Sequence, residues 1–231
     1  MSYGLSVQSS LGTIQVDENY VGVRLIQSGS LTADSTRIAT LTLGQPFSAP
    51  PLVLVRPTAF GRYVGGMFFL GPYAGQSNDS IRFLGTASVP FDYAIFAIEG
   101  TAVDDGSTYG LRVWNPSNQI TFNSAHTRAR ITHTFSIGSF ARCQSSAASY
   151  SISGYSSMPW VVANNLYSVW SNGEEFVYEG FVVGFDSYST MRMGYSSWST
   201  SNWPNLGTGC SGNAPAPYPF TLAVAKINEG A

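Results

Sequence analysis

The chain has 231 residues, of which 10% are charged and 44% are apolar, and its formal net charge is −2. An average soluble domain has about 25% charged residues, so little charge is left here for a solvated surface. The eleven Lys and Arg residues are spread without a run, which argues against a nucleic-acid partner. No stretch approaches the roughly 20 apolar residues that cross a bilayer, so we also expect no membrane insertion.

The low charge favours permanent burial in an assembly, because a free monomer normally depends on dispersed surface charge for its solubility. A monomer covered in Ser, Thr and Asn is the alternative. The first residues show neither the basic region nor the apolar run of a cleaved secretion signal. We therefore do not expect export by such a signal.

The beginning of the chain is repeated 106 residues later. Residues 3–7 read Tyr-Gly-Leu-Ser-Val and residues 109–113 read Tyr-Gly-Leu-Arg-Val. Further landmarks recur in the same order, which is the signature of an internal repeat. They are Ile14 to Asp17 with Ile120 to Asn123, Arg37-Ile38 with Arg130-Ile131, Pro51 to Leu54 with Pro159 to Val162, and Pro90-Phe91 with Pro219-Phe220. We interpret the pattern as a tandem duplication, with domains at 1–102 and 107–231 joined by a linker.

Alternation with a period of two is common along the chain, and helical periodicity is hard to find. The segments 91–96, 131–137 and 220–224 alternate between two faces. We expect Ile131 and His133 to share the apolar face of 131–137, and we interpret His133 as a core histidine. The runs 51–55 and 181–183 predict strands that are buried on both faces. Many short strands separated by turn residues predict an all-β fold, with two tandem antiparallel β-sandwich-like domains of the same fold.

The second copy is longer, and its extra residues predict an aromatic-rich loop insertion at about 187–217. All five Trp residues lie in this copy, two of them in the insertion. Its aromatic residues could form a platform that binds sugar rings or a protein partner, or they could cap the core. The candidate binding residues are Tyr188, Tyr195, Trp198 and Trp203.

Catalytic and cofactor motifs are weak. Residues 207–212 match G-x-G-x-x-G, but a Pro-rich run follows where a dinucleotide site needs a helix, so we expect no cofactor. Glu175 and Glu179 are four apart on one predicted strand, about 13 Å, which is too far for a glycosidase pair. Asp186 with either glutamate is the remaining grouping for a glycan-degrading enzyme. We expect no catalytic residues and no metal site, and therefore no enzyme.

Two cysteines, Cys143 and Cys210, both lie in the second copy. They could form a disulfide that closes a long loop, or they could stay free and reduced. The sequence leaves both alternatives open.

The first seven residues, followed by a Gly-containing turn and a strand from Ile14 to Asp17, resemble the start of a family of bacteriophage tail proteins. In the second copy Asn123 stands in place of the Asp, and Pro116 interrupts the turn. The resemblance implies a virion component near the distal tail tip or fibres, folded in the host cytoplasm, with other tail proteins as partners. It offers no catalytic residues to transfer.

From this resemblance and the low charge we expect a structural tail protein that contributes to host attachment, with a host glycan or protein as receptor. We expect a homo-oligomer, with a trimer as the first guess. The alternative function is a carbohydrate-binding module for host surface glycan, and a glycan-degrading tail enzyme is a further one.

Overall fold

The computed structural model describes residues 4–9, 12–17, 23–35, 37–43, 47, 51–69, 80–97, 111–114, 117, 120–123, 128–137, 148–166, 168–172, 176–197 and 220–228. These residues form seventeen strands and one short 3₁₀ turn at Ala163–Asn165. No helix among them is long and apolar enough to cross a membrane. The all-β prediction is therefore confirmed.

The strands are, in chain order, β1 Gly4–Ser9, β2 Gly12–Asp17, β3 Arg24–Thr32, β4 Ile38–Thr42, β5 Leu52–Pro57, β6 Tyr63–Phe69, β7 Ser80–Gly85, β8 Pro90–Ala97, β9 Arg112–Trp114, β10 Ile120–Asn123, β11 Arg128–Ile137, β12 Ala148–Ser151, β13 Trp160–Val162, β14 Ser168–Asn172, β15 Phe176–Ser187, β16 Thr190–Ser197 and β17 Phe220–Asn228.

Two large antiparallel sheets contain most of these strands. The six-stranded sheet has the order β11-β17-β13-β5-β8-β3. The seven-stranded sheet has the order β12-β16-β15-β6-β7-β4, and β14 pairs with the first half of β15. The pairs β1–β2 and β9–β10 form separate hairpins.

The main hydrophobic core lies between the two sheets. It takes Val53, Ile95 and Val224 from the six-stranded sheet and Phe83 and Phe181 from the seven-stranded sheet, all with 0% exposure. The runs at 53–55 and 181–183 are buried throughout, because β5 and β15 are central strands. The prediction that both are strands buried on both faces is confirmed.

Each half of the chain contributes three adjacent strands to each sheet, and the second half adds β14 to the seven-stranded sheet. In the six-stranded sheet β3, β8 and β5 precede β13, β17 and β11, and in the seven-stranded sheet β4, β7 and β6 face β15, β16 and β12. The halves meet where β5 pairs with β13 and β6 with β15. Both halves therefore build one continuous core, and the division at 102 and 107 stays a prediction.

The strand register is repeated between the halves of the six-stranded sheet. Leu52 faces Phe96 in the first half, and Trp160 faces Ala225 in the second. These are the pairs expected if Pro51 matches Pro159 and Phe91 matches Phe220. The duplication itself stays a prediction, but this register is what it would produce.

The two outer strands of this sheet also share an irregularity. In β3 the ladder skips a residue between Leu25 and Gln27, and in β11 it skips a residue between Ile131 and His133. Such bulges change which side chains face the core. The spacing between the two bulges is 106 residues, the same as the spacing between the two Tyr-Gly-Leu segments.

At the seam between the halves, a local twofold axis relates β5 to β13. Leu54 pairs with Val162, its own counterpart in the repeat. Beside the axis the side chain of Asn164 replaces a backbone partner, because its Oδ1 accepts from the Val53 amide at 2.7 Å and its Nδ2 donates to the Pro51 carbonyl at 2.8 Å. The pairing of β5 thus continues beyond the end of β13.

Three sequence interpretations need correction. Arg130-Ile131 does not correspond to Arg37-Ile38, because the former lies in β11 of one sheet and the latter at the start of β4 in the other. Ile131 does not share a face with His133, because the bulge at Thr132 separates them. Ile131 is 44% exposed.

The third correction concerns the insertion at 187–217. Its first part is wrong as a loop, because Thr190–Ser197 forms β16, in which Met191 and Met193 have 0% exposure. The connection from β16 to β17 spans residues 198–219, whereas the corresponding connection from β7 to β8 spans only residues 86–89. Most of the extra length of the second half therefore lies after β16.

Candidate functional site

The structure describes two of the four candidate binding residues, Tyr188 and the backbone of Tyr195, and places them apart. Tyr188 lies in the turn between β15 and β16, and Tyr195 lies in β16 opposite Phe181. The five steps along the strand from Thr190 to Tyr195 span about 17 Å, so Tyr195 lies far from the turn that holds Tyr188. Trp198 and Trp203 lie outside the described residues, as do Cys143, Cys210, Glu175 and the G-x-G-x-x-G segment.

Tyr188 has an aromatic neighbour that the sequence analysis missed. The Phe60 ring lies 5.0 Å from the Tyr188 ring between centroids, with an interplanar angle of 61°. This is the edge-to-face arrangement that aromatic pairs favour. Phe60 is 42% exposed and Tyr188 is 43% exposed, so much of both rings is open to solvent. We call these two residues the aromatic tip.

Backbone contacts between two turns hold the aromatic tip. Phe60 lies in the turn between β5 and β6, where the Gly61 amide donates to the Phe185 carbonyl at 2.8 Å. Gly61 has φ +70°, which favours glycine. On the other side, the Ile152 amide donates to the Ser189 carbonyl at 2.9 Å. The tip therefore stands on hydrogen-bonded turns.

Polar groups flank the aromatic tip. Asp186 Oδ2 lies 2.6 Å from Arg192 Nε, and both side chains are partly exposed. Ser187 Oγ lies 3.1 Å from Ser189 Oγ. Aromatic surface next to hydroxyls and charged groups is suited to binding a polar ligand or a protein surface.

The structure argues against Asp186 with Glu179 as the carboxylate pair of a glycan-degrading enzyme, whereas Glu175 lies outside the described residues. Asp186 and Glu179 lie seven residues apart on the same strand, β15, about 23 Å along it. The mechanisms of glycoside hydrolysis use carboxyl groups about 5–9.5 Å apart. Asp186 is moreover paired with Arg192.

A second cluster lies between the edge strands β11 and β12. Four rings follow one another: Tyr150 to Phe135 at 5.3 Å, Phe135 to His133 at 6.3 Å and His133 to Tyr155 at 5.7 Å between centroids. Lys226 Nζ lies 5.1 Å from the centroid of the Tyr155 ring. We call these five residues the ring row.

Hydrogen bonds connect the ring row to the sheet. The hydroxyls of Thr132 and Tyr155 share a hydrogen bond, Thr132 Oγ1 donates to the Val224 carbonyl at 3.1 Å, and His133 Nδ1 lies 3.3 Å from Thr132 Oγ1. Burial raises the pKa of the Tyr155 hydroxyl, and the Thr132 hydrogen bond opposes that rise. Burial also raises the pKa of Tyr150. Both tyrosines are therefore neutral at physiological pH.

The ring row refines the interpretation of His133 as a core histidine. The side chain is half-buried, with a ring on each side and two hydroxyls within 3.5 Å of Nδ1. The alternation around residue 133 identified its inward face. Nothing local to the sequence identified Tyr150, Tyr155 or Lys226 as its neighbours.

Among the described residues no three His, Cys, Asp or Glu side chains gather where they could hold a metal ion. Comparison with protein-family models, with curated proteins and with solved structures finds no match for this chain.

Proposed function

We propose that this chain is a non-enzymatic structural protein of a bacteriophage tail, associated with the distal tip or the fibres, and that it contributes to host attachment. The resemblance of residues 1–17 to tail proteins supports the location. The observation that carries attachment is the aromatic tip, two rings exposed side by side on hydrogen-bonded turns.

Permanent assembly is the second part of the proposal. A chain with 10% charged residues is better suited to contacts with other proteins than to free diffusion. The proposed partners are other tail proteins and further copies of the chain, with a trimer as the expected state. On this proposal the protein folds in the host cytoplasm and ends in the virion.

The location is tested on purified particles. Mass spectrometry of purified virions of the phage that encodes this sequence should detect the chain. Antibodies against the chain should label the distal tail in immunogold electron microscopy. Light scattering on the purified chain should give three times the chain mass of 24.8 kDa. Absence of the chain from purified particles would refute the tail assignment, and a stable monomer would refute the trimer.

Attachment is tested separately with variants of the aromatic tip. Excess purified chain should slow the adsorption of the phage to its host, and Phe60→Ala/Tyr188→Ala should lose that competition. Trp114→Ala is the matched control, because it removes an aromatic side chain that is 49% exposed on a different strand. Equal competition by all three proteins would exclude the tip from attachment.

A carbohydrate-binding module is the second candidate, favoured by the Asp186–Arg192 pair and the two serines beside the aromatic tip. Rings with adjacent hydrogen-bonding groups are suited to sugars. If the chain has this function, it should bind a glycan saturably on a glycan array, and Tyr188→Ala should remove that binding. Competition for adsorption without any glycan binding would favour a protein receptor.

A further inference from the structure

Basic side chains gather at one end of the ring row. Arg130 lies directly opposite Lys226 in the ladder between β11 and β17, which places their Cβ atoms about 5 Å apart. Arg128 lies two residues before Arg130, and thus on the same face of β11. These three side chains are exposed, and they are three of the eleven basic residues in the chain. We call them the basic mouth.

Like charges directly opposite each other destabilise a strand pair. Among the described residues no carboxylate pairs with Arg130 or Lys226, and Lys226 Nζ instead donates to the Gly154 carbonyl at 2.5 Å. The first half avoids the arrangement, because Arg24, the counterpart of Arg130, faces Ala97. The second cation is therefore specific to the second half, and a bound anion would offset the repulsion.

Neutral hydrogen-bonding groups adjoin the basic mouth. Lys226 lies over the Tyr155 ring, and the Tyr155 hydroxyl contacts Thr132 and lies 3.5 Å from His133 Nδ1. All three of these polar side chains are half-buried rather than sealed in the core. Hydroxyls, imidazole and aromatic edges next to cations form a surface that is suited to a polar ring carrying negative charge.

We infer that the basic mouth and the adjoining Tyr155–His133 end of the ring row form a binding site for an acidic sugar, in which Arg130 and Lys226 bind a carboxylate or phosphate and the hydroxyl and imidazole groups bind the sugar hydroxyls. The site shares no residue with the aromatic tip. It stands on its own contacts and holds even if the chain is not a tail component.

The test measures binding of defined sugars to the full chain by isothermal titration calorimetry. The probes are a galacturonic acid trisaccharide for the carboxylate and mannose 6-phosphate for the phosphate, with the methyl ester of the trisaccharide and mannose as neutral counterparts. We expect at least one acidic probe to bind at least tenfold more tightly than its neutral counterpart. Its affinity should fall with added salt, and comparison of the two acidic probes identifies the anion.

Variants assign the binding to this surface. Arg130→Ala and Lys226→Ala should each weaken binding at least tenfold, whereas Lys226→Arg should retain most of it. Arg62→Ala is the matched control, since it removes an exposed cation elsewhere, and it should bind as the natural chain does. Phe60→Ala/Tyr188→Ala should also bind normally. Because Arg130 and Lys226 are exposed, their variants should remain folded, which thermal melting checks.

Four outcomes would overturn the inference: no acidic probe binding at millimolar concentration, equal binding of the neutral counterparts, unchanged binding after Arg130→Ala and Lys226→Ala, or equally tight binding of inorganic phosphate alone. A dT oligonucleotide that bound more tightly than both acidic sugars would also overturn it, because it would identify a nucleic-acid surface.

Discussion

The two outer strands of the six-stranded sheet share a backbone and differ in their side chains. In the first half Tyr93 on β8 faces Gly29 on β3, and a Cβ at Gly29 would lie 3.1 Å from the Tyr93 hydroxyl oxygen. In the second half the matching positions hold Leu222 and Phe135. The large aromatic ring therefore lies on the inner strand in the first half and on the outer strand in the second half.

This exchange shows how one framework supports two surfaces. The outer strand of the first half carries Gln27, whose side-chain amide lies 3.3 Å from the Tyr93 hydroxyl. At this edge the ring that covers the core is that of Tyr93, which belongs to the inner strand β8. The outer strand of the second half carries His133 and Phe135, which join Tyr150 and Tyr155 in the ring row. A shared register fixes where side chains lie, and the residue types decide what the edge can bind.

The largest expected effect comes from deletions around β16, the counterpart of β7. Removing residues 188–215 should abolish folding, because it deletes Met191 and Met193 from the core. Removing residues 200–215 should preserve folding, because the first half connects the matching strands with residues 86–89 alone. Circular dichroism and urea unfolding of both proteins check this. If the protein with the shorter deletion did not fold, the correspondence between β16 and β7 would be wrong.

Gly65→Ala should be the next most damaging change, because Gly65 lies at the seam opposite Val182. Its φ is +157°, and an added Cβ would lie 2.4 Å from the Phe181 carbonyl oxygen. We expect a loss of about 3 kcal/mol or more in the free energy of unfolding, measured in urea. Gly61→Ala is the control: its φ is +70° but the Cβ meets open space, so we expect a loss of about 1 kcal/mol.

Exchanging the rings tests the comparison directly. Gly29→Phe should lower the free energy of unfolding by about 2 kcal/mol, because the new ring collides with Tyr93. Combined with Tyr93→Leu it recreates the pair found in the second half, and we expect the double variant to recover about 1 kcal/mol or more relative to additivity. A double-mutant cycle in urea measures this coupling. Strict additivity would show that the two edges pack differently.

The smallest effect concerns pH. Burial raises the pKa of Tyr155 above its ordinary value of 10.0. A pKa that is higher in the folded state contributes stability that is fully present below pH 10 and is lost as the pH rises through the folded pKa. The melting temperature should therefore fall above pH 10, and fall less in Tyr155→Phe. Equal alkaline loss in both proteins would exclude Tyr155 as the cause.

The sequence predicts local patterns well, but it does not predict contacts between residues that are far apart in the chain. Alternation and apolar runs identified the buried strands at 53–55 and 181–183, because their pattern follows directly from burial. The bulge at Thr132 left no local signal, so Ile131 was assigned to the wrong face. Phe60 and Tyr188 are 128 residues apart, and only the pairing of β15 with β6 brings their turns together.

The loop prediction for 190–197 failed for a related reason. Ser, Thr and Gly make up half of that segment, and its core contribution rests on Met191 and Met193, two residues that β-propensity does not favour. The basic mouth was equally hidden, because Arg130 and Lys226 are 96 residues apart in the chain and adjacent only in the ladder.

The seam also bears on cooperativity. Because β5 pairs with β13 and β6 with β15, separating the halves would leave a bare strand edge on each side of both sheets, with unpaired backbone groups and an open core. Neither half can therefore melt while the other keeps its structure. Despite its repeated sequence, the chain should unfold in a single transition, with a calorimetric enthalpy equal to the van't Hoff enthalpy.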